Sequence, residues 1–403
     1  MPSELINSAT YIPLTEDQLP SATLRKASKI TVRFDDRRES AFHCVWLRDH
    51  CKCAECWHPK THQRFADITQ MPLNVTAGRM RVSEDRKELI VTWLHDGHES
   101  PYSFEWLRHN TYDPPLCEDF DLKPQRLWRA SDLEREMPTV QYEAVMADDE
   151  ALKAWLLNIE TYGISFIDGI PSTPEATDAL VRRIAFVRET HYGLTHVIAN
   201  DMAHGDAAFS GAHLPAHADT CYFTDSVGLL LMHILYHNNG TGGESTFVDG
   251  FAVAEHLKHH HRWAYDALTS VGVSYHSAGD ASTHISPLRA SPILQAHPAH
   301  PDRLLQVRHN NEDRSVLRGV EGDVMAVFYA ALQLWTRLLK EDEWQVRIKM
   351  PRGRAAIVDN WRVLHGRTAF TGSRALCAAY VNRDDWRSRV RMVVDGNREK
   401  QFI

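Results

Sequence analysis

Five strand-like runs, each bounded by turn residues, crowd the second half of the chain: GLLLMHILY (228–236), STFVDG (245–250), RLLQVRHN (303–310), AAIVDNW (355–361) and ALCAAYV (375–381). Strands this dense, with only a few long helices among them, predict a β-sandwich or jelly roll buttressed by helices. The β–α alternation is too irregular for a doubly wound sheet, and no G-x-G-x-x-G is present. One helix is predicted over 149–163, where Leu152, Trp155, Leu156 and Ile159 share a face and Gly163 supplies the stop. A second begins at 172–174, with Ser172 or Thr173 as cap and Pro174 in the first turn. A third carries Val324, Phe328, Ala331, Leu332, Trp335 and Leu339, with Asp323 placed to cap it. Upstream, ITVRF (30–34), LIVTW (89–93) and YSFEWL (102–107) read as short strands. The class is therefore α+β, mainly β, with a small β-rich domain over 22–120, a Pro-punctuated connector over 121–140 and a large domain over 141–395. No internal repeat is expected, and the HHH run at 259–261 reads as a solvated turn.

The chain has 403 residues, 43% of them hydrophobic, enough for a sizeable core. A formal charge of -8 argues against a nucleic-acid partner, which needs a basic face. No apolar run is long enough to span a membrane. The opening MPSELINSATYIPLTEDQLP lacks the charged and apolar regions of a signal peptide, and Glu4, Glu16 and Asp17 disfavour a transit peptide. A cytoplasmic location is expected, or a mitochondrial one if a leader has been removed. Seven cysteines, three of them in CKCAEC, are not a secreted disulfide framework and point to a reducing compartment.

Two clusters carry chemistry. His217 and Asp219, two apart in LPAHADTCYF, can point the same way from an extended segment. With a distant histidine they make the two-histidine, one-carboxylate set of a non-haem Fe(II) oxygenase. His365 in VLHGR supplies that histidine, and Arg374 nine residues later can grip the far carboxylate of a keto acid. The second cluster, Cys51, Cys53 and Cys56, has soft-ligand zinc spacing. Its fourth ligand is open among His50, His58, His62, His95 and His98. Cys44, Cys117, Cys221 and Cys377 have no partner pattern and read as buried apolar residues.

DNWRVLHGR (359–367), GTGGESTFVDGF (240–251), WLRDHC (46–51) and HADTCYF (217–223) together resemble the γ-butyrobetaine and trimethyllysine dioxygenase family, Fe(II)- and 2-oxoglutarate-dependent oxygenases of carnitine synthesis. KTHQR (60–64), VRHNN (307–311) and FTGSRALCAAYVNRDD (370–385) bring the chain nearer the trimethyllysine branch, and the resemblance runs from about 30 to 395. It implies a double-stranded β-helix (jelly roll) with iron held by His217, Asp219 and His365. Arg374 would bind the 2-oxoglutarate C5 carboxylate, with Ser245 as a second donor. It also implies a small-molecule amino-acid substrate and O2 as partners, ascorbate as reductant and a homodimer. His98, eight residues before Trp106, becomes the fourth ligand of a structural zinc. The expected reaction is C3 hydroxylation of Nε-trimethyllysine by a ferryl oxygen. The alternatives are the same chemistry on another free amino acid or small amine, and a zinc-containing interaction protein without activity. Tyr192, His196 and Tyr380 match positions around the trimethylammonium group, Phe209 matches a further substrate-binding position, Asp206 is expected to pair with an α-ammonium, and Asn310 to serve a carboxylate. A larger aromatic is expected where this chain has His196, and a Tyr where it has Phe209.

Overall fold

The computed structural model describes residues 8–12, 28–116, 125–200, 206–298 and 300–396; Cys117 and most of the N-terminal lead-in lie outside them. Two compact units divide the chain, one before the 117–124 segment and one after it.

The first unit holds two three-stranded antiparallel sheets. One consists of β1 (Ser8–Ile12), β2 (Lys29–Arg33) and β3 (Glu39–His43), and β3 runs into helix α1 (Cys44–Asp49). The other consists of β4 (Ala77–Val82), β5 (Glu88–Trp93) and β6 (Glu99–Ser103), and β6 runs into helix α2 (Phe104–His109). YSFEWL was expected as a strand throughout, but the Ser103 hydroxyl accepts the Trp106 N–H and starts a helix there.

The two halves are copies of one motif, contrary to the expectation of no repeat. Ile30, Val32 and Phe34 are buried in the first as Leu89, Val91 and Trp93 are in the second. Val32 faces Ser40 and Ile30 faces Phe42; likewise Val91 faces Ser100 and Leu89 faces Tyr102. Each hairpin turns through a left-handed residue, Arg37 (φ 67) in one and Gly97 (φ 70) in the other. Each helix then carries Trp-Leu-Arg, at 46–48 and at 106–108. The two arginines cross over: Arg48 reaches Asp96 of the second hairpin (3.2 Å), and Arg108 reaches Asp36 of the first (2.6 Å).

In the second unit two sheets share a core. The six-stranded sheet has the order β9-β16-β11-β14-β8-β7, where β7 is Thr139–Gln141, β8 Ile164–Asp168, β9 Thr195–Ala199, β11 Leu229–Asn238, β14 Ala355–Asp359 and β16 Ser373–Val381. The four-stranded sheet has the order β10-β15-β12-β13, where β10 is Leu214–His217, β12 Ser245–Asp249, β13 Val346–Ile348 and β15 Val363–Arg367. Phe166, Leu230, Met232 and Val358 from one sheet and Phe247, Val346, Ile348 and Val363 from the other fill one buried cluster. Leu229 and Leu231 point to the opposite face, onto Trp155, Leu156, Leu180 and Trp386 of flanking helices. A strand buried on both faces reads as a continuous apolar run, as GLLLMHILY does. Behind the four-stranded sheet, Val248 and Leu364 pack with Phe251, Leu268, Phe328 and Trp335.

Helix α4 (Asp149–Tyr162) ends at Gly163, whose φ of 71 is left-handed as a stop residue requires. Thr173 caps α5 (Pro174–Arg182), which is shorter than its sequence pattern implied. Helix α6 (Gly250–His260) and helix α7 (Arg262–Ser270) place the HHH run at their junction. Helix α8 (Gly322–Leu338) starts two residues earlier than expected, so Glu321 and not Asp323 is its N-cap. RLLQVRHN contributes only Leu304–Val307, which pairs with 294–296 outside the two main sheets. In the segment expected as a connector, helix α3 (Ala130–Arg135) precedes β7, and β7 pairs in parallel with β8.

One buried ion pair links these layers. Arg362 and Asp249, both fully buried, bond through Nε to Oδ1 (3.1 Å) and Nη2 to Oδ2 (2.8 Å). Asp249 also accepts the N–H groups of Phe251 and Ala252 at the start of α6 and that of Trp128. Arg362 donates further to the carbonyls of Thr161 and Arg126.

Candidate active site

Strand pairing assembles the first cluster. β10 and β15 are antiparallel with His217 directly opposite His365, so both rings leave the same face. Asp219 follows β10 by two residues, where the chain turns through Thr220 at φ 55. Asn360 holds that turn from both sides: its Oδ1 accepts the Asp219 N–H (2.8 Å) and its Nδ2 donates to the Asp219 carbonyl (3.0 Å). Arg308, also buried, donates to the carbonyls of Cys221, Phe223 and Thr224 just beyond.

The result is convergence. Asp219 Oδ1 lies 3.2 Å from His217 Nε2 and 3.4 Å from His365 Nε2. Adjacent ligands of a first-row metal stand about 3 Å apart when their bonds are about 2.1 Å, so the three atoms fit one ion. His217 Nδ1 lies 2.8 Å from the Pro215 carbonyl, an N–H bond that would leave Nε2 as the ligating atom. The Tyr380 hydroxyl donates to the other oxygen, Oδ2, at 2.8 Å. Burial opposes charge at all three groups, but Asp219 lifts His217 to about 9, and the two histidines hold Asp219 ionised.

Beside the triad opens a cavity of about 430 Å³. Tyr192, His196, Asp206, Phe209, Asn310 and Tyr380 all line it, as do His217 and Asp219. Tyr192 stacks on His196 with ring centroids 5.1 Å apart, His196 meets Tyr380 at 5.5 Å, and Phe209 lies 6.4 Å from Tyr192. The Tyr192 hydroxyl donates to Asp206 Oδ2 at 2.5 Å, while Asp206 Oδ1 accepts the Ala208 N–H at 2.8 Å. Five carboxylates line the cavity: Asp206, Asp219, Asp280, Glu312 and Asp313. Among the described residues, no Lys or Arg lines it.

Arg374 and Ser245 are outside that lining. Arg374 sits on β16 opposite His237 of β11, and Ser245 on β12 opposite Arg367 of β15. Arg374 is 3% exposed and has no carboxylate or hydrogen-bond partner among the described residues, and the Phe370 ring lies against it. Burial and neighbouring Arg367 push its pKa down to about 10. A buried guanidinium in that state fits a dicarboxylate cosubstrate. Arg367 is satisfied differently, donating to the carbonyls of Ala208, Ser210 and Ala212 and thereby fastening the loop that carries Phe209.

In the first unit Cys51, Cys53, Cys56 and His98 also converge. His98 Nε2 lies 3.4, 3.4 and 3.6 Å from the three sulfurs. A tetrahedral zinc site has S···N edges of about 3.5 Å, so the donor set fits a closed structural site. Of the competing histidines, His50 instead sets Nδ1 against the Trp46 carbonyl. Arg48 donates to Cys56 Sγ at 3.4 Å. Although burial opposes it, backbone N–H groups of Glu55 and Cys56 hold the Cys53 thiol below its ordinary value.

Comparison with known proteins bears on both units. Residues 118–380 match the taurine catabolism dioxygenase TauD, TfdA family, and residues 22–111 match the γ-butyrobetaine hydroxylase-like N-terminal family. The trimethyllysine dioxygenase of Meyerozyma guilliermondii is 34% identical over 376 residues, covering 90% of this chain and 93% of the relative. The chain belongs to the γ-butyrobetaine and trimethyllysine dioxygenase family. The mitochondrial trimethyllysine dioxygenase of Homo sapiens is 36% identical, covering 87% of this chain and 82% of its own. The γ-butyrobetaine dioxygenase of Pseudomonas sp. is 31% identical, covering 90% and 93%. Membership makes the chain an iron- and 2-oxoglutarate-dependent dioxygenase and sets aside an interaction protein without activity. No helix among the described residues is long and apolar enough to cross a membrane.

Sequence reasoning missed four residues around this site: Asn360, Arg308, Arg367 and Asp313. Three of them stand inside motifs already singled out (DNWRVLHGR and VRHNN), but a motif does not say which of its polar residues face one another.

Proposed function

We propose that the chain hydroxylates free Nε-trimethyllysine at C3, with iron at His217, Asp219 and His365 and 2-oxoglutarate and O2 as cosubstrates, in a double-stranded β-helix domain. The observation that carries this reading is the convergence of the three donor atoms beside a cavity lined by aromatic rings and carboxylates, with no Lys or Arg among the described residues that line it. Such a lining suits a cationic substrate. The iron, when bound, supplies oxygen-activating chemistry that couples decarboxylation of 2-oxoglutarate to oxidation of a C–H bond.

The protein's share is positional. Arg374 binds the C5 carboxylate of 2-oxoglutarate, with Ser245 as a second donor. Asn360 and Tyr380 fix the backbone and carboxylate of Asp219. The faces of Tyr192, His196 and Tyr380 receive the trimethylammonium group, which offers no N–H and is held by aromatic faces and negative charge. Fixing both ends of the substrate presents one C–H bond to the metal and keeps the others away. The closed Cys51, Cys53, Cys56 and His98 set holds a structural zinc. None of the six described cysteines is in a disulfide, which fits a reducing compartment. Ascorbate as reductant and a homodimer belong to the same proposal; activity with and without ascorbate, and sedimentation velocity, test them.

The test is turnover. With Fe(II) and 2-oxoglutarate, the protein should convert trimethyllysine to a product one oxygen heavier, with one succinate per hydroxylation. His217→Ala and Asp219→Ala should abolish both. A second reading, the same chemistry on another free amino acid or small amine, draws on His196 and Phe209, which replace a larger aromatic and a hydroxyl. Succinate formation with an unmethylated amino acid and none with trimethyllysine would favour it.

A further inference from the structure

The proposed substrate carries two positive groups, and the cavity holds carboxylates in two different settings. A trimethylammonium group cannot donate a hydrogen bond, so it needs charge and aromatic faces but no acceptor. An α-ammonium has three N–H donors and requires acceptors. Asp206 already has a donor on each oxygen, Tyr192 Oη on one and the Ala208 N–H on the other. It is thereby tied to the ring cluster.

Asp313 is different. Its Oδ2 accepts one bond, from Asn310 Nδ2 at 2.8 Å, and its Oδ1 accepts none from any described residue. No cation pairs with it among the described residues, although it is half-buried in the cavity wall. Asn310 cannot turn away, because its own Oδ1 accepts the N–H groups of Glu312 (3.1 Å) and Asp313 (3.3 Å). A fixed amide thus holds a carboxylate that has spare acceptor capacity in a site that, among the described residues, no Lys or Arg lines. Burial pushes the Asp313 carboxyl up to about 7; His217 pulls it down, and the neighbouring carboxylates, Asp206 and Asp219 among them, push it up further. A bound cation would remove that penalty.

We propose that Asp313 receives the substrate's α-ammonium group and so selects a free amino acid over a molecule carrying the quaternary ammonium alone. The inference rests on trimethyllysine as substrate, and it transfers to Asp313 the role the sequence assigned to Asp206. C3 is bonded to the α-carbon, so the α-ammonium must bind close to the metal ligands. Asp313 lines the same cavity as His217 and Asp219, and its charge acts on His217.

The experiment compares kcat/KM for trimethyllysine and for 6-(trimethylammonio)hexanoate, which differ only in the α-ammonium. Wild type should prefer trimethyllysine, and Asp313→Asn should cut that preference by about 10- to 100-fold, as expected when one partner of a part-desolvated charge pair is lost. The KM for 2-oxoglutarate should stay constant in the same preparation and so report a folded site. Asp313→Ser serves if the Asn variant is unstable. An unchanged preference in a variant with normal 2-oxoglutarate affinity overturns the role of Asp313, as does loss of the preference in Asp206→Asn alone. If wild type leaves trimethyllysine untouched, the substrate reading itself fails, and the two failures are told apart.

Discussion

Arg374 and His233 are both buried and pair with no opposite charge among the described residues, and each has a measurable signature. Removing the guanidinium in Arg374→Ala leaves the C5 carboxylate of 2-oxoglutarate without its partner in a buried site, a loss of about 2–5 kcal/mol. The KM for 2-oxoglutarate should rise accordingly, with zinc content unchanged; an unchanged KM would hand the carboxylate to another residue. His233 is fully buried on β11, with Nδ1 2.8 Å from Thr177 Oγ1, and burial lowers its pKa from 6.5 to about 4. Between those values the unfolded chain binds a proton that the folded chain does not, so stability falls as pH falls through that window. The slope approaches about 1.4 kcal/mol per pH unit. Above 6.5 the imidazole is neutral in both states and adds no slope. Urea midpoints at pH 7 and pH 5 should therefore converge in His233→Gln relative to wild type. An identical drop in both proteins would locate the proton uptake elsewhere.

Individual elements owe their positions to a few polar contacts that span long stretches of chain. Asp249 closes β12, caps α6 and neutralises Arg362, while the Arg362 side chain packs against Gly163 at the end of α4; a Cβ on Gly163 would meet Arg362 Cδ at 2.9 Å. Arg362→Leu would strand the Asp249 carboxylate in the core, and breaking a buried pair in this way costs about 3–5 kcal/mol. Chemical denaturation should show that loss; a loss near 1 kcal/mol would mean that Asp249 takes a proton or finds water. Elements of this kind were only partly legible beforehand. Helix α4 and the stop at Gly163 follow from local spacing and one glycine, and β11 from its unbroken apolar run. Asn360 and Arg308 could not be read so, because each acts on a turn far away, and 141 residues separate Asn360 from Asp219. RLLQVRHN looked like a sheet strand because its apolar pattern is right, but its only strand partner among the described residues, 294–296, lies outside the main sheets.

Across the whole molecule, the donor sets of both metal clusters were legible because ligand chemistry restricts residue type and spacing. His98 and His365 needed the family resemblance or the strand pairing, since no local rule chooses one histidine among 24. Freshly made, unchelated protein should carry about one zinc per chain besides any iron. Cys53→Ser should lose it and lower the thermal transition of the first unit; zinc-free protein of normal stability would contradict the site. The repeat in that unit is faint in the sequence because few identities survive, chiefly Glu-Ser and Trp-Leu-Arg, and CKCAECWHPKTHQRF intervenes. Its consequence is historical. Two hairpin–helix copies latched by crossed Arg–Asp pairs are what duplication of a short ancestral segment inside one gene would leave behind. The cysteines follow only the first copy and their histidine sits only in the second, at the position Arg38 occupies in the first. Metal binding would then be an asymmetry acquired after the copies had fused, and a primordial pair of identical segments could have associated with no metal at all.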